Sequence, residues 1–391
     1  MPDFRELMAV FSVPRPNGSA AEHETRRRIR LWLESRRIPY EIQNFRLYPY
    51  YFEALGAWLL LVAVLLAVTV WQRAGWWTLL VAAAGAGAAL LDNAFHLPLV
   101  TWPGAQRGEN ILLRFGPPDA GRELVICAHY DSKTELLDHY QRLFFLNQLQ
   151  RALALVALLA VTGPLEGRLH AQGHPLGAPL YALRSTAALL ILVLVAVFSL
   201  NLMIGRLLKA QSCGCVDNGA ACAILLGLAE RLSSSGLAMR SLKVTLALFG
   251  GEEVDRQGSR FFVRSRRGHL PSTALNLEAL GQDGAYLYWE QDGSVYRLLP
   301  TSNELNQALN QAVRRVTGQE PRPAGPVTSD GASFLQAGVP TAVLGSESRR
   351  LGNAGLHSPA DNPARVRLDR LAEGVEILAA FIEVLDRQGH C

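Results

Sequence analysis

The sequence predicts an α/β protein: a three-layer domain with a central mixed sheet, interrupted by two transmembrane helical hairpins. Three observations predict it. Of 391 residues, 49% are hydrophobic and only 18% charged, against a usual charged share of about 25%. The apolar surplus gathers in four runs instead of spreading evenly. The polar remainder alternates short apolar strands with amphipathic helices, the pattern of a layered α/β domain.

The four runs come in pairs. Ala54–Trp71 is 18 residues without a charge, and Trp76–Leu91 adds 16 more after the short break at 72–75. A bilayer core needs about 20 apolar residues, so the second run spans only with Asp92 at the interface. Trp58, Trp71, Trp76 and Trp77 fall at or near the run ends, where interfacial aromatics belong. Ala83, Gly85 and Gly87 offer small residues for close helix contact. Ser185–Gly205 is a clean run of 21 residues, and its partner Ala152–Gly163 has 12 clean positions. The Gly- and Pro-rich stretch 164–184 reads as the loop between them. The rival reading of all four runs is buried helices of a large soluble core.

Removing residues 54–91 (hairpin one) and 141–205 (hairpin two) leaves 1–53, 92–140 and 206–391 as one polar domain. Strands are expected at 40–47, 110–115, 124–128, 242–249, 273–277, 286–289 and 341–344. Helices are expected at 22–35, 219–232, 304–316 and 368–385. The first 50 residues carry RRRIR at 26–30 but no apolar core of a cleaved leader.

Charge and cysteine content bound the partners. The net charge of +4, from 38 basic against 34 acidic residues, gives no case for nucleic acid. Five cysteines are too few, and odd in number, for a disulfide scaffold. The lipid bilayer is the partner that the composition implies; nothing in it indicates an oligomeric state. Arg46, Arg107, Arg142, Arg206 and Lys209 flank the spans on the side of the polar segments. Arg73, Arg168 and Arg184 fall in the two short loops. The count leans towards a cytoplasmic polar domain by the positive-inside rule.

Five places put metal-type ligands just after expected strands, where open α/β sheets place their sites. His129 in AHYDS can donate an imidazole nitrogen, and Asp131 can fix its tautomer. Asp217 in VDNGA sits just before a helix and has two oxygens with which to bridge two cations. In FGGEEVDRQGS the adjacent Glu252 and Glu253 point differently, so one can bind metal while the other faces substrate as general base. Glu278 ends the strand LNLE, and His357 lies in the loop HSPADNP. Two histidines and three carboxylates suit two zinc ions sharing a bridging carboxylate. Singly, each element has a bland reading: a structural H-x-D, a solvated Glu pair, an Asp-Asn-Gly turn. The ordered set is the specific signal.

That order resembles the co-catalytic zinc aminopeptidases of clan MH, the aminopeptidase Y-like metallopeptidases of family twenty-eight. They carry His-x-Asp, Asp-Asn-Gly, Glu-Glu, Asn-Leu-Asp/Glu and a late His in that order. The steps from His129 to Asp217, Glu253, Glu278 and His357 are 88, 36, 25 and 79 residues. The first is long by about the size of hairpin two, so that hairpin looks inserted in the catalytic domain. The opening FSVPRPNGSAAEHETRRRIRLWLESRRIPYE resembles the family's leading helix and strand. Glu278 in place of Asp is shared with the membrane-bound subgroup similar to endoplasmic reticulum metallopeptidase and vacuolar membrane protease.

The resemblance implies a membrane-anchored zinc peptidase, an aminopeptidase acting on peptide or protein substrates, with two zinc ions. It implies His129, Asp217 and Glu278 for one ion, and Asp217, Glu253 and His357 for the other. Glu252 matches the general base, and Asp131 the partner of His129. SDGASF at 329–334 resembles Ser-Asp-His-x-x-Phe with Gly331 in place of His, which places Asp330 near the site. The alternatives are a glutaminyl cyclase or carboxypeptidase on the same site, or a catalytically silent membrane scaffold. Cys213, Cys215 and Cys222 flank Asp217 but match no family ligand; small cysteines are often buried as apolar residues. Asn17-Gly-Ser fits a glycosylation acceptor. Arg349 and Arg350 read as a surface pair.

Overall fold

The structure is a computed structural model that describes residues 2–95, 101, 103–235, 239–294 and 297–388. Helices α1 (Phe4–Phe11) and α2 (Ala20–Ser35) precede strand β1 (Glu41–Leu47) and helices α3 (Tyr51–Trp71) and α4 (Gly75–Phe95). Strands β2 (Gln106–Phe115) and β3 (Arg122–His129) lead to helices α5 (His139–Ala171), α6 (Gly177–Ile204) and α7 (Ala220–Ser235). Then come β4 (Leu242–Phe249), α8 (Gln257–Ser265), β5 (Thr273–Glu278), β6 (Tyr286–Trp289), β7 (Gln291–Ser294) and β8 (Arg297–Pro300). The chain closes with α9 (Asn303–Thr317), β9 (Arg322–Ala324), α10 (Gly331–Gln336), β10 (Thr341–Ser346) and α11 (Leu368–Gln388).

The chain divides into two units: residues 1–49, 105–134 and 209–391, and residues 50–104 and 135–208. Residues 50–53, 92–104, 135–140 and 206–208, given to the polar domain on sequence, therefore group with the helical unit. Helix α3 already starts at Tyr51 and α4 continues to Phe95, because helical hydrogen bonding carries on past the last apolar residue. Of the segment 92–140, residues 96–100 and 102 lie outside the described residues.

The first unit is built on a mixed eight-stranded sheet in the order β1-β2-β4-β3-β5-β10-β6-β9. Its centre, β4-β3-β5-β10, is parallel, while β1, β2 and β6 join antiparallel to their inner neighbours. Successive side chains of a strand point to opposite faces, and the core follows that alternation. Leu124, Ile126, Leu246, Leu248, Leu275 and Leu277 pack with α1, α2, α7, α9 and α11 on one face. Val125, Cys127, Ala247, Phe249 and Ala274 pack with Phe262 of α8 and Phe334 of α10 on the other. The result is three layers. Each buried Leu, Ile or Phe contributes about 1.5–3 kcal/mol, which is why β3 and β4 read as near-continuous apolar runs.

The second unit holds α3, α4, α5 and α6. Three helices are long and apolar enough to cross a membrane: Tyr51–Trp71, Tyr140–Ala171 and Gly177–Leu207. In α4 the apolar stretch is shorter, Gly75–Gly85. Only 28%, 17% and 33% of the most apolar stretches of the three long helices is buried, so most of their apolar surface faces outwards.

One expectation is overturned. Residues 164–184, read as a loop, are mostly helical: α5 runs through Pro164 to Ala171, and only 172–176 lie between α5 and α6. Gly167 and Gly173 have open space around them, while Gly163, just before the stretch, serves a close helix contact. A Cβ on Gly163 would lie 2.6 Å from the carbonyl oxygen of Gly75, and one on Gly75 would lie 2.1 Å from that of Gly163. Pro164 removes one helical N–H, and in the same stretch Arg184 donates to the Leu159 carbonyl at 3.3 Å. Arg168 and Arg184, counted with a loop, sit within α5 and α6. Arg184 is buried and paired with buried Glu166 at 3.0 Å.

Candidate metal centre

Three adjacent parallel strands end together. In the β3–β4 register His129 stands opposite Phe249, so the Gly250–Glu253 turn leaves the sheet beside His129. Strand β5 pairs with β3 on its other side and ends at Glu278. Asp217 comes from the turn Cys215–Gly219 that feeds α7, and His357 from the loop between β10 and α11. The Asp217–Asn218 peptide is cis. Asn218 Nδ2 donates to the Leu277 carbonyl at 2.7 Å, which ties the Asp217 turn to the end of β5.

The side chains converge. His129 Nε2 lies 3.1 Å from Asp217 Oδ1, and His357 Nε2 lies 3.1 Å from Asp217 Oδ2. His357 Nε2 is also 3.1 Å from Glu253 Oε1, and His129 Nε2 is 3.9 Å from Glu252 Oε2. Among the described residues, ligand atoms lie within 4.8 Å of one another in His129–Asp217–Glu278, in Asp217–Glu253–His357 and in His129–Glu252–Glu253. Thus the five residues expected as ligands meet, with Glu252 among them. Tetrahedral zinc with ligands at about 2.0–2.1 Å holds neighbouring donor atoms roughly 3.3 Å apart. The observed separations and the N/O donor set therefore fit zinc.

Electrostatics point the same way. Burial opposes charge on Asp217, but hydrogen bonds from His129 and His357 hold its carboxyl well below the usual range. Burial, with the negative charge of Glu253, Asp330 and Glu278, pushes Glu252 well above its ordinary value against the pull of His129. Burial and Asp217 do the same to Glu278. Packing this many carboxylates together is unfavourable without a compensating cation.

The surrounding shell was only partly visible in the sequence. Asp131 faces His129 Nδ1 at 3.6 Å and accepts from the backbone N–H of Glu253 at 2.9 Å and of Glu252 at 3.3 Å. It also accepts from Asn17 Nδ2 at 2.6 Å. Asn17 is buried, so the glycosylation reading of Asn17-Gly-Ser fails: a glycan needs an exposed acceptor. Arg15, fully buried, donates to the carbonyls of Tyr130 and Cys213, and to those of Phe11 and Gly214 at 2.8 Å. Asp361 accepts from the N–H of Val216 at 2.7 Å and of Asp217 at 3.1 Å. Asn276 Nδ2 donates to Glu278 Oε2 at 3.2 Å. Signals for Arg15, Asn17 and Asp361 lay in PRPNGS and HSPADNP, but their roles there are non-local.

Asp330 is buried at the start of α10, and its carboxyl, raised by burial, sits at about 6. The preceding Ser329 donates its N–H to Asp292 Oδ1 at 3.0 Å. A Cβ on Gly331 would come within 2.6 Å of Asp292 Oδ2, which accounts for glycine in SDGASF. Among the described residues no cysteine belongs to the ligand groups. Cys222 Sγ donates to the His129 carbonyl at 3.0 Å, and burial pushes Cys215 and Cys222 up to about 12. Arg349 and Arg350 are exposed.

Residues 201–382 match Peptidase family M28. The match includes Asp217, Glu252, Glu253, Glu278 and His357, and begins after His129 and Asp131. No curated protein matches the chain in sequence. Solved structures share its fold. Glutaminyl cyclase of an Acidobacteriales bacterium is 13% identical, with TM-score 0.54 over 99% of this chain and 93% of that one. The aminopeptidase of Aneurinibacillus sp. strain AM-1 is 13% identical, with TM-score 0.54 over 97% and 92%. Glutaminyl cyclase of Macrostomum lignano is 16% identical, with TM-score 0.53 over 98% and 88%.

Proposed function

We propose that this chain is a membrane-anchored, zinc-dependent peptidase acting as an aminopeptidase. The observation that carries the reading is the convergence of His129, Asp217, Glu253, Glu278 and His357 beside Glu252. In this reading His129, Asp217 and Glu278 hold one zinc, Asp217, Glu253 and His357 the other, and Asp217 serves both. Zinc bound there would polarise a scissile carbonyl and acidify a water. Glu252 accepts the proton of that water at its carboxylate and returns it to the leaving amine. Asp131 orients the His129 ring and anchors the Glu252–Glu253 turn. The outward-facing apolar helices of the second unit support the membrane anchor, and covalent continuity with them restricts the site to substrates near the bilayer.

The test uses protein recovered in detergent from carbonate-washed membranes. Wild type should hydrolyse aminoacyl amides in the presence of zinc. Glu252→Gln should keep its zinc and its melting temperature and lose at least about 100-fold in kcat, the scale of a general base. Equal activity of the two proteins would refute the base assignment.

A second reading, cyclisation of N-terminal glutaminyl residues, has one observation in its favour. Asp217, Glu253 and His357, all buried, form by themselves a three-ligand set of the size that holds a single catalytic zinc. A zinc content near one per chain, with turnover of glutaminyl amides and not of other aminoacyl amides, would establish it.

A further inference from the structure

We propose that Asn17 is a positioning residue for the metal centre, holding Asp131 so that His129 and the Glu252–Glu253 turn keep the geometry that zinc requires. The inference rests on the metallopeptidase reading above.

Asn17 lies 112 residues before His129 in the chain, in the loop between α1 and α2. That loop is fastened to the His129 segment at several points. Arg15 N–H donates to Ser132 Oγ at 2.9 Å, and Ser132 N–H donates to the Arg15 carbonyl at 3.2 Å. The Arg15 guanidinium grips the carbonyl of Tyr130 on one side and those of Cys213 and Gly214 on the other. One side chain thus spans the segment behind His129 and the turn that carries Asp217. Gly18, at φ +73°, lets the chain turn tightly here; a Cβ would meet Gln106 at 2.6 Å and Pro49 at 2.9 Å.

Within this clamp Asn17 makes a contact aimed at the centre. Its Nδ2 donates to Asp131 Oδ2 at 2.6 Å, and the same oxygen receives the Glu253 N–H at 2.9 Å. The other oxygen, Oδ1, faces His129 Nδ1 at 3.6 Å and the Glu252 N–H at 3.3 Å. With Oδ2 held from two directions, the carboxylate plane cannot rotate, and Oδ1 stays beside the imidazole, whose Nδ1 is also 3.3 Å from the Asp131 carbonyl oxygen. An amide suits this place: it donates a strong hydrogen bond to a buried carboxylate without adding a charge that would compete with the cation. A fixed partner for the second ring nitrogen is what orients a histidine for metal binding.

The test measures zinc affinity by chelator competition, the melting temperature of the metal-free protein, and kcat and KM separately. The variants are Asn17→Ala and Asn17→Asp. We expect Asn17→Ala to weaken zinc binding by about 10- to 100-fold, the range for outer partners of metal ligands. The metal-free protein should melt within about 2 °C of wild type, and in saturating zinc kcat should fall while KM holds. Asn17→Asp, which sets a second carboxylate against Asp131, should bind zinc more weakly still. If Asn17→Ala fails to fold, Asn17→Ser, with its shorter polar arm, takes its place with the same expectation. Zinc affinity equal to wild type, or a loss matched by an equal fall in metal-free stability, would overturn the positioning role. If wild type itself retains no zinc, the metallopeptidase reading fails and the inference with it; if wild type retains zinc and the variants bind it equally, only the inference fails.

Discussion

Asp217 is the residue on which both histidines converge, one on each carboxylate oxygen, and the charge balance around it sets how the centre loads. Burial works against a proton on His129, but Glu252, Asp131 and Asp217 outweigh it and hold the imidazolium well above the ordinary histidine range. A zinc ligand must be the neutral imidazole, so zinc has to displace that proton. Because the pKa is raised, competition from protons begins above about pH 6.5, the ordinary value, and deepens on acidification. Zinc affinity measured by chelator competition should therefore rise steadily from about pH 5.5 to about pH 8; a flat profile would contradict this balance. At this scale the expected ligands were legible from their order: His129, Glu253 and Glu278 come at or just after the ends of β3, β4 and β5, whereas Asp217, expected after a strand, follows helix α6 and sits just before α7. Arg15, Asn17 and Asp361 were not. They act through partners 114 to 199 residues away, and no local pattern announces such a contact. Asn17-Gly-Ser fits a glycosylation acceptor in sequence because the tripeptide says nothing about burial.

Elements place those residues. The strand ends of β3, β4 and β5 were readable because strands buried on both faces show as apolar runs, and β4 was expected at its observed bounds. Helices α1, α8 and α10 and strands β7, β8 and β9 were not anticipated; with three to nine residues each, they carry too few periods for a pattern to stand out. The stretch 164–184 misled because glycine and proline usually mark loops, yet Pro164 and Gly167 lie within α5 and Gly177 opens α6. The turn before α7 is the element most exposed to a single change. Gly214 has φ +59°, and a Cβ there would lie 2.6 Å from the Ser132 side chain and 2.7 Å from the Asp217 carbonyl. Gly214→Ala should destabilise the protein by about 1–3 kcal/mol and lower its zinc affinity, read by thermal melting and chelator competition. Unchanged melting would show that the turn tolerates a side chain.

At the scale of the whole molecule, the two-unit organisation follows from hydropathy: apolar segments that find no place in the sheet's two cores collect in a unit of their own. Their interruption of the polar chain between His129 and Asp217 was legible from the long first step of the motif series. The exact borders were not, since helices run on into polar sequence. Insertion of 74 residues (135–208) between the His129 and Asp217 segments leaves their convergence intact because β3 and the α7 turn are fixed by the sheet and by the Arg15 clamp. In the proposed assembly, distant segments build one dinuclear site around a shared carboxylate. The most direct test is zinc stoichiometry by elemental analysis of purified wild type and Asp217→Ala. Wild type should hold two zinc ions per chain and the variant should lose both, because Asp217 belongs to both ligand sets. A wild type without zinc, or a variant that keeps the full complement, would contradict it.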